Sequence, residues 1–144
     1  MTKPNPANPT LSISRPDLAS ALEQIGAEIE HQPLRSSALA RIMRETFHGS
    51  DAGGTWDWRM AYDLMQATAV QALLRGDNSE DDYYAAKLLA SRLLTETRRS
   101  EQQIRLQQFS TPLPFAALTV RASAIRKGET VLEPSAGTGA PAAF

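Results

Sequence analysis

Thr130-Val131-Leu132-Glu133 is the only stretch of this 144-residue chain that reads as a β-strand, and Pro134-Ser135-Ala136-Gly137-Thr138-Gly139 follows it at once. A lone strand has no ladder partner, and its backbone N–H and C=O groups must pair somewhere. Helix, strand and glycine loop in that order open an α/β unit whose remaining strands are missing. Past the first 13 residues, the first hundred carry helical rather than strand periodicity. The sequence therefore predicts a mainly α chain: an N-terminal helical bundle followed by the truncated start of a Rossmann-like α/β domain.

The helical part divides at its prolines and glycines. Residues 1–13, with Pro4, Pro6 and Pro9 and no apolar period, read as a disordered arm. Ser14 can cap a first helix whose Pro16 sits harmlessly in the first turn. Leu18, Leu22, Ile25 and Ile29 give it one face, and Pro33 ends it. Ser36 or Ser37 starts a second helix with Leu39, Ile42, Met43 and Phe47 on one side and Gly49 as its stop. After a glycine-containing loop from His48, Thr55 is expected to cap a third helix carrying Trp56, Met60, Leu64 and Leu74 and ending at Gly76. Ser79, with Glu80, Asp81 and Asp82, suits a fourth N-terminus, where acids meet the positive end of the dipole. That helix is predicted to run through Leu89 and Leu93 to about Gln108, its polar half Arg98 to Gln107 bridging two parts of the structure. Phe109-Ser110-Thr111-Pro112 interrupts it. A fifth helix then starts near Pro114 with Phe115, Leu118, Ala122 and Ile125 as its face, and Lys127-Gly128 turns the chain into the strand. The predicted organisation is an arm over 1–13, a helical domain over 14–108 and an incomplete α/β domain over 109–144.

Composition narrows the function. Fifteen basic against 16 acidic side chains leave a net charge of -1, so the whole chain is no general polyanion binder. The absence of cysteine removes disulfide frameworks, thiolate catalysis, zinc ribbons and iron–sulfur sites together. No apolar run approaches the roughly 20 residues that span a bilayer. The polar, proline-rich start is no secretory signal. A soluble, cytoplasmic protein without membrane contact is expected.

A strand running into a glycine loop is how an α/β sheet receives a nucleotide-like ligand, because missing Cβ atoms let the backbone approach. Gly137-Thr138-Gly139 alone is weak evidence. No Gly-Lys-Ser/Thr follows it, and no third glycine stands three residues after Gly139, so neither the P-loop nor the dinucleotide pattern fits. The longer run is more specific. Val131 to Gly139 resembles the first cofactor motif of S-adenosylmethionine-dependent DNA methyltransferases of the amino-methylating kind. Gln108-Phe109-Ser110-Thr111-Pro112, some twenty residues earlier, resembles the motif that precedes it there. Their order is similar to that of the N6-adenine branch, including modification subunits of type I systems, which also begin with a helical domain. The wording is closest to methylase/helicase proteins related to strawberry notch. The resemblance covers about residues 107–139 and does not reach the helical part.

The resemblance implies S-adenosylmethionine as cofactor and DNA as partner of the intact enzyme. It puts Phe109, Ser110 and Thr111 near the methionine end of the cofactor, where the Thr111 hydroxyl and N–H can hold a carboxylate. Glu133 would face the cofactor's ammonium group. Ala136, Gly137 and Gly139 would pass close beneath the sugar and methionine, and Pro134 and Ser135 would shape the turn. The acidic residue that the family carries after its second strand is missing. So is its Asn/Asp/Ser-Pro-Pro-aromatic motif, which holds the target amino group; Asn5-Pro6 and Asn8-Pro9 are each followed by the wrong residue. Pro141 also departs from the family, although a first-turn position tolerates it. The chain alone is thus expected to be inactive and to bind the cofactor weakly or not at all, with no catalytic residue of its own.

Other features have plainer roles. Trp56, Trp58, Tyr83 and Tyr84 read first as packing residues, although tryptophans can stack bases. His31 and His48 are helix-end residues, and without cysteines or paired His spacing no metal site is expected. Arg92, Arg98, Arg99 and Arg105 could track a phosphate backbone, but Glu96 and Glu101 interleave them, as on a solvated helix face. Two rival functions stay open. One is a helical interaction module that binds a partner or self-associates through the unpaired strand. The other is methylation of RNA or protein, since the cofactor motif does not specify the acceptor.

Overall fold

The computed structural model describes residues 14–75, 82–98, 104–105, 110–126, 128–132, 137 and 139–144. The predicted arm lies outside them. Among the described residues five α-helices have defined bounds: α1 (Arg15–His31), α2 (Ser36–Thr46), α3 (Trp58–Leu74), α4 (Asp82–Ala90) and α5 (Leu113–Ser123), followed by a 3-10 turn, Ala140–Ala143. The described residues are mainly α and contain no strand.

Local chemistry sets the helix ends. The Ser14 hydroxyl accepts from the Asp17 N–H at 3.3 Å, with Pro16 in the first turn, as the sequence predicts. Asp57, and not Thr55, caps α3: its carboxylate accepts from Met60 N–H at 2.7 Å, so Trp56 stands outside the helix. Thr55 instead donates its hydroxyl to the Ser50 carbonyl within the loop. α3 ends at Leu74, before the expected Gly76, which lies outside the described residues along with Ser79, Glu80 and Asp81. At the end of α2 the left-handed residue is His48 (φ 52°), and the Gly49 N–H reaches back to the Arg44 carbonyl at 3.2 Å. Gly49 follows the stop rather than making it.

α3 is the axis of the molecule. Its first half packs with α1 and α2 around Ile25, Leu39, Ile42, Met43 and Met65, all fully buried. Its second half, Ala69 and Val70, packs with Ala86 of α4, Leu113, Ala116 and Ala117 of α5, and Ala140 of the 3-10 turn. This second cluster draws residues from both sides of residue 109. Leu89 and Leu93 touch both clusters and join them.

Three predicted elements differ. α4 stops at Ala90 instead of running to Gln108. Leu93 and Leu94, past the end of the helix, pack against the first cluster. The Ser91 hydroxyl donates to the Leu88 carbonyl at 2.6 Å, and residues 94–98 follow without helix. The apolar face predicted for α5 is its outer one: Phe115 is 64% exposed and Leu118 44%, while Ala116 and Ala117 are buried. The seam is built largely from alanines, and small side chains let helices approach closely where a phenylalanine would not fit. Lastly, Thr130, Val131 and Leu132 are not a strand and are exposed. No ladder partner exists for them among the described residues.

Candidate functional site

The two motifs that suggest a cofactor site are each followed by a residue of the second cluster, Leu113 and Ala140. Ser110 is half-buried and Thr111 exposed, just before Pro112, whose extended backbone (φ -58°, ψ 135°) opens the helix. Leu113, two residues after Thr111, is almost wholly buried in the second cluster. At the other motif, Gly137 and Gly139 have φ of 54° and 83°, a region that favours glycine. The 3-10 turn starts at the next residue, with Pro141 in its first turn, where its missing N–H does no harm. Ala140 is buried in the same cluster as Leu113. The segment that ends the first motif and the segment that ends the second are therefore held by one patch of core. Phe109, Glu133, Pro134, Ser135 and Ala136 lie outside the described residues.

Between the motifs the chain makes a short turn. Ala124 takes a left-handed conformation (φ 51°) after α5. The Glu129 N–H donates to the Arg126 carbonyl at 3.1 Å, and the Arg126 N–H donates to the Glu129 carboxylate at 2.9 Å. Thr111, which carries a hydroxyl and an N–H, is exposed, and the glycines have no Cβ to shield their backbone. These groups suit a small polar ligand. Among the described residues they present no acid, base or nucleophile in a catalytic arrangement.

Of the aromatic residues expected to pack, Tyr84 is instead 66% exposed and meets Tyr83 edge-on. Trp56 is buried and donates its indole N–H to the Gly49 carbonyl at 3.0 Å. Trp58 donates to the Asp51 carboxylate at 3.1 Å, meets Trp56 edge-on and Tyr62 at a tilt, and carries the Arg98 guanidinium over its ring at 4.4 Å. Such a pair contributes about 0.5–1 kcal/mol at an exposed site. The Arg92 guanidinium donates to the carbonyls of Ile29 and Glu30 at the end of α1. A groove of about 790 Å³ between α1 and α3 was not foreseen. Its one sequence signal is Gly26 in mid-helix, which a Cβ would bring to 3.5 Å from Thr68. No motif residue lines it. Among the described residues no helix is long and apolar enough to cross a membrane.

No protein-family model matches the chain, and no curated protein or solved structure matches it either.

Proposed function

We propose that the chain is the N-terminal part of an S-adenosylmethionine-dependent DNA methyltransferase acting on adenine N6. The observation that carries this reading is the pair of motifs around α5. Gln108-Phe109-Ser110-Thr111-Pro112 and Val131 to Gly139 stand in the order and at the separation of the family's cofactor motifs. Two facts of packing support it. Leu113 and Ala140, which follow the two motifs, share one buried cluster, so both motifs can serve one ligand. Gly137 and Gly139 have positive φ before a helical turn, as a loop that carries its backbone beneath a ligand requires.

In this reading α1 to α4 are the support on which the cofactor domain is built, and in the intact cytoplasmic enzyme they help to grip DNA. Thr111 holds the cofactor carboxylate and Glu133 its ammonium group. The ribose-binding acid and the Asn/Asp-Pro-Pro-aromatic motif come from sequence beyond residue 144, so these 144 residues alone bind the cofactor weakly and transfer no methyl group.

The test is to read the coding DNA downstream of Phe144 in the source genome. The expected frame continues into a strand ending in an acid and then an Asn/Asp-Pro-Pro-aromatic motif. A stop codon at once, or a continuation without them, overturns the reading. A second check uses the chain itself: submicromolar cofactor binding by calorimetry would contradict the requirement for the missing acid.

A further inference from the structure

We propose that residues 91–98 form a strap that opens as one unit, and that Met65 beneath it is a redox site which peroxide reaches only through that opening. The chain leaves α4 at Ala90 and is then held at three points. The Arg92 guanidinium donates to the Ile29 and Glu30 carbonyls, and the Arg92 carbonyl accepts from the Leu34 N–H. The Leu94 N–H donates to the Met65 sulfur at 3.3 Å. The Arg98 guanidinium stands 4.4 Å from the centre of the Trp58 ring. Met65 and Trp58 are about two turns apart on α3, so the strap runs back along that helix toward its N-terminus.

Met65 is fully buried, whereas Leu94, whose N–H meets its sulfur, is half-buried and Thr95 is exposed. One residue therefore separates the sulfur from water. The cover is lightly held. A thioether is a weak hydrogen-bond acceptor. From Thr95 to Arg98 no backbone hydrogen bond is made to another described residue, and the last anchor, Arg98, is exposed. A segment with so few backbone bonds opens at the low end of a fold's stability, before its helices do. Met43 is the internal contrast: it is equally buried in the same cluster, but it lies on α2, and among the described residues its sulfur takes no hydrogen bond from the strap.

When the strap is open, the sulfur attacks one oxygen of hydrogen peroxide. The S–O bond forms and the O–O bond breaks, and the leaving hydroxide takes the proton of the transferred oxygen as water. Sulfur loses two electrons and peroxide gains them. The sulfoxide is polar, and its oxygen needs both room and a donor in a fully buried site. The strap does not reseat over it. Oxidation thus holds the strap open, and reduction of the sulfoxide lets it close. None of this depends on the methyltransferase reading.

Dilute hydrogen peroxide acting on the native chain, followed by peptide mass mapping at intervals, tests the proposal. Met60, half-buried, is expected to react before either buried methionine. Met65 should react about tenfold or more faster than Met43. Low urea should speed Met43 steeply and Met65 little, because opening the strap exposes far less surface than global unfolding. Arg98→Ala should speed Met65 about two- to fivefold, the loss of one exposed cation–π contact, and Arg98→Lys should stay within about twofold of the parent. The switch has its own readout in the Met60→Leu chain: sulfoxide at Met65 should speed exchange of the Leu94 amide proton about tenfold or more, and methionine sulfoxide reductase should restore it. Equal rates at Met65 and Met43 with one urea dependence would mean that only global unfolding exposes the sulfur, and would overturn the proposal. Arg98→Ala without effect on Met65, or Leu94 exchange unchanged by oxidation, overturns it as well.

Discussion

One guanidinium nitrogen of Arg92 donates to the Ile29 carbonyl at 3.1 Å and also to that of Glu30 at 3.0 Å. The Arg92 carbonyl in turn accepts from the Leu34 N–H at 2.8 Å. Both recipient carbonyls lie in the last turn of α1, where no helical donor remains and the dipole favours a cation. One residue thus ties the segment after α4 to the end of α1 and to the link before α2. Arg92→Ala is expected to lower stability by about 1–3 kcal/mol, the cost of losing charge-assisted bonds to partly buried carbonyls. The measurement is the urea midpoint at unchanged m-value. A shift below about 0.3 kcal/mol would mean that water serves those carbonyls equally well.

The two sides of α5 should respond oppositely to the same change. Ala116 is fully buried among alanines, so Ala116→Asp places an unpaired carboxylate in an apolar seam. A loss of at least about 3 kcal/mol, or failure to fold, is expected. Phe115→Asp exchanges one exposed side chain for another and should change the monomer's stability by no more than about 0.5 kcal/mol. Urea denaturation at low protein concentration separates the two. Equal losses would show that Phe115 also packs in solution.

The contrast marks how far the sequence could be read. Ser14, Ile25, Leu39, Ile42 and Met43 were legible because a cap and a helical period are local statements, and the packed faces of α1 and α2 follow from them. On α5 the same period found the larger apolar residues but not the side that meets a partner. Ala116 and Ala117 won that place by being small, a property of the seam and not of the helix. The end of α4 was hidden for a similar reason: Leu89 and Leu93 fit a helical period, whereas the contacts that follow the helix, Arg92 on the Ile29 and Glu30 carbonyls and the Leu94 N–H on the Met65 sulfur, are made across the molecule. The two motifs could be matched by wording alone, whereas the burial in one cluster of Leu113 and Ala140, the residues that follow them, needed the fold. At Thr130 to Leu132 the sequence carries a strand propensity without a strand, and propensity alone does not supply a neighbour.

Among the described residues, two hold left-handed conformations without being glycine: His48 after α2, and Ala124 after α5. A Cβ there costs roughly 1 kcal/mol against glycine. His48→Gly and Ala124→Gly are each expected to raise stability by about 0.5–1 kcal/mol, although glycine also loosens the unfolded chain. The sites are far apart in sequence and share no partner, so the double variant should show the sum to within about 0.5 kcal/mol. Thermal unfolding of the four forms checks both claims. Destabilisation by either change would mean that the position leaves the left-handed region in solution.

Asp63 should make stability fall as acid is removed. Partial burial pushes its carboxyl above the ordinary 3.8, the pull of Arg59 at 3.9 Å opposes this, and the Asp57 charge adds to the rise. Between 3.8 and the raised value the folded chain holds this proton more often than the unfolded chain does. The group's contribution is therefore greatest below that window, is lost as pH rises through it, and is flat above. Asp63→Asn removes this descent. With the Asp63 side chain 56% exposed, the effect at neutral pH is screened, and the variant should match or exceed the parent by less than about 0.5 kcal/mol. The reading is the difference between variant and parent in urea midpoints at about pH 3, 5 and 7. It should move in the variant's favour from the lowest pH upward. A difference that moves the other way would mean that the Arg59 pair outweighs burial and that the carboxyl sits below its ordinary value.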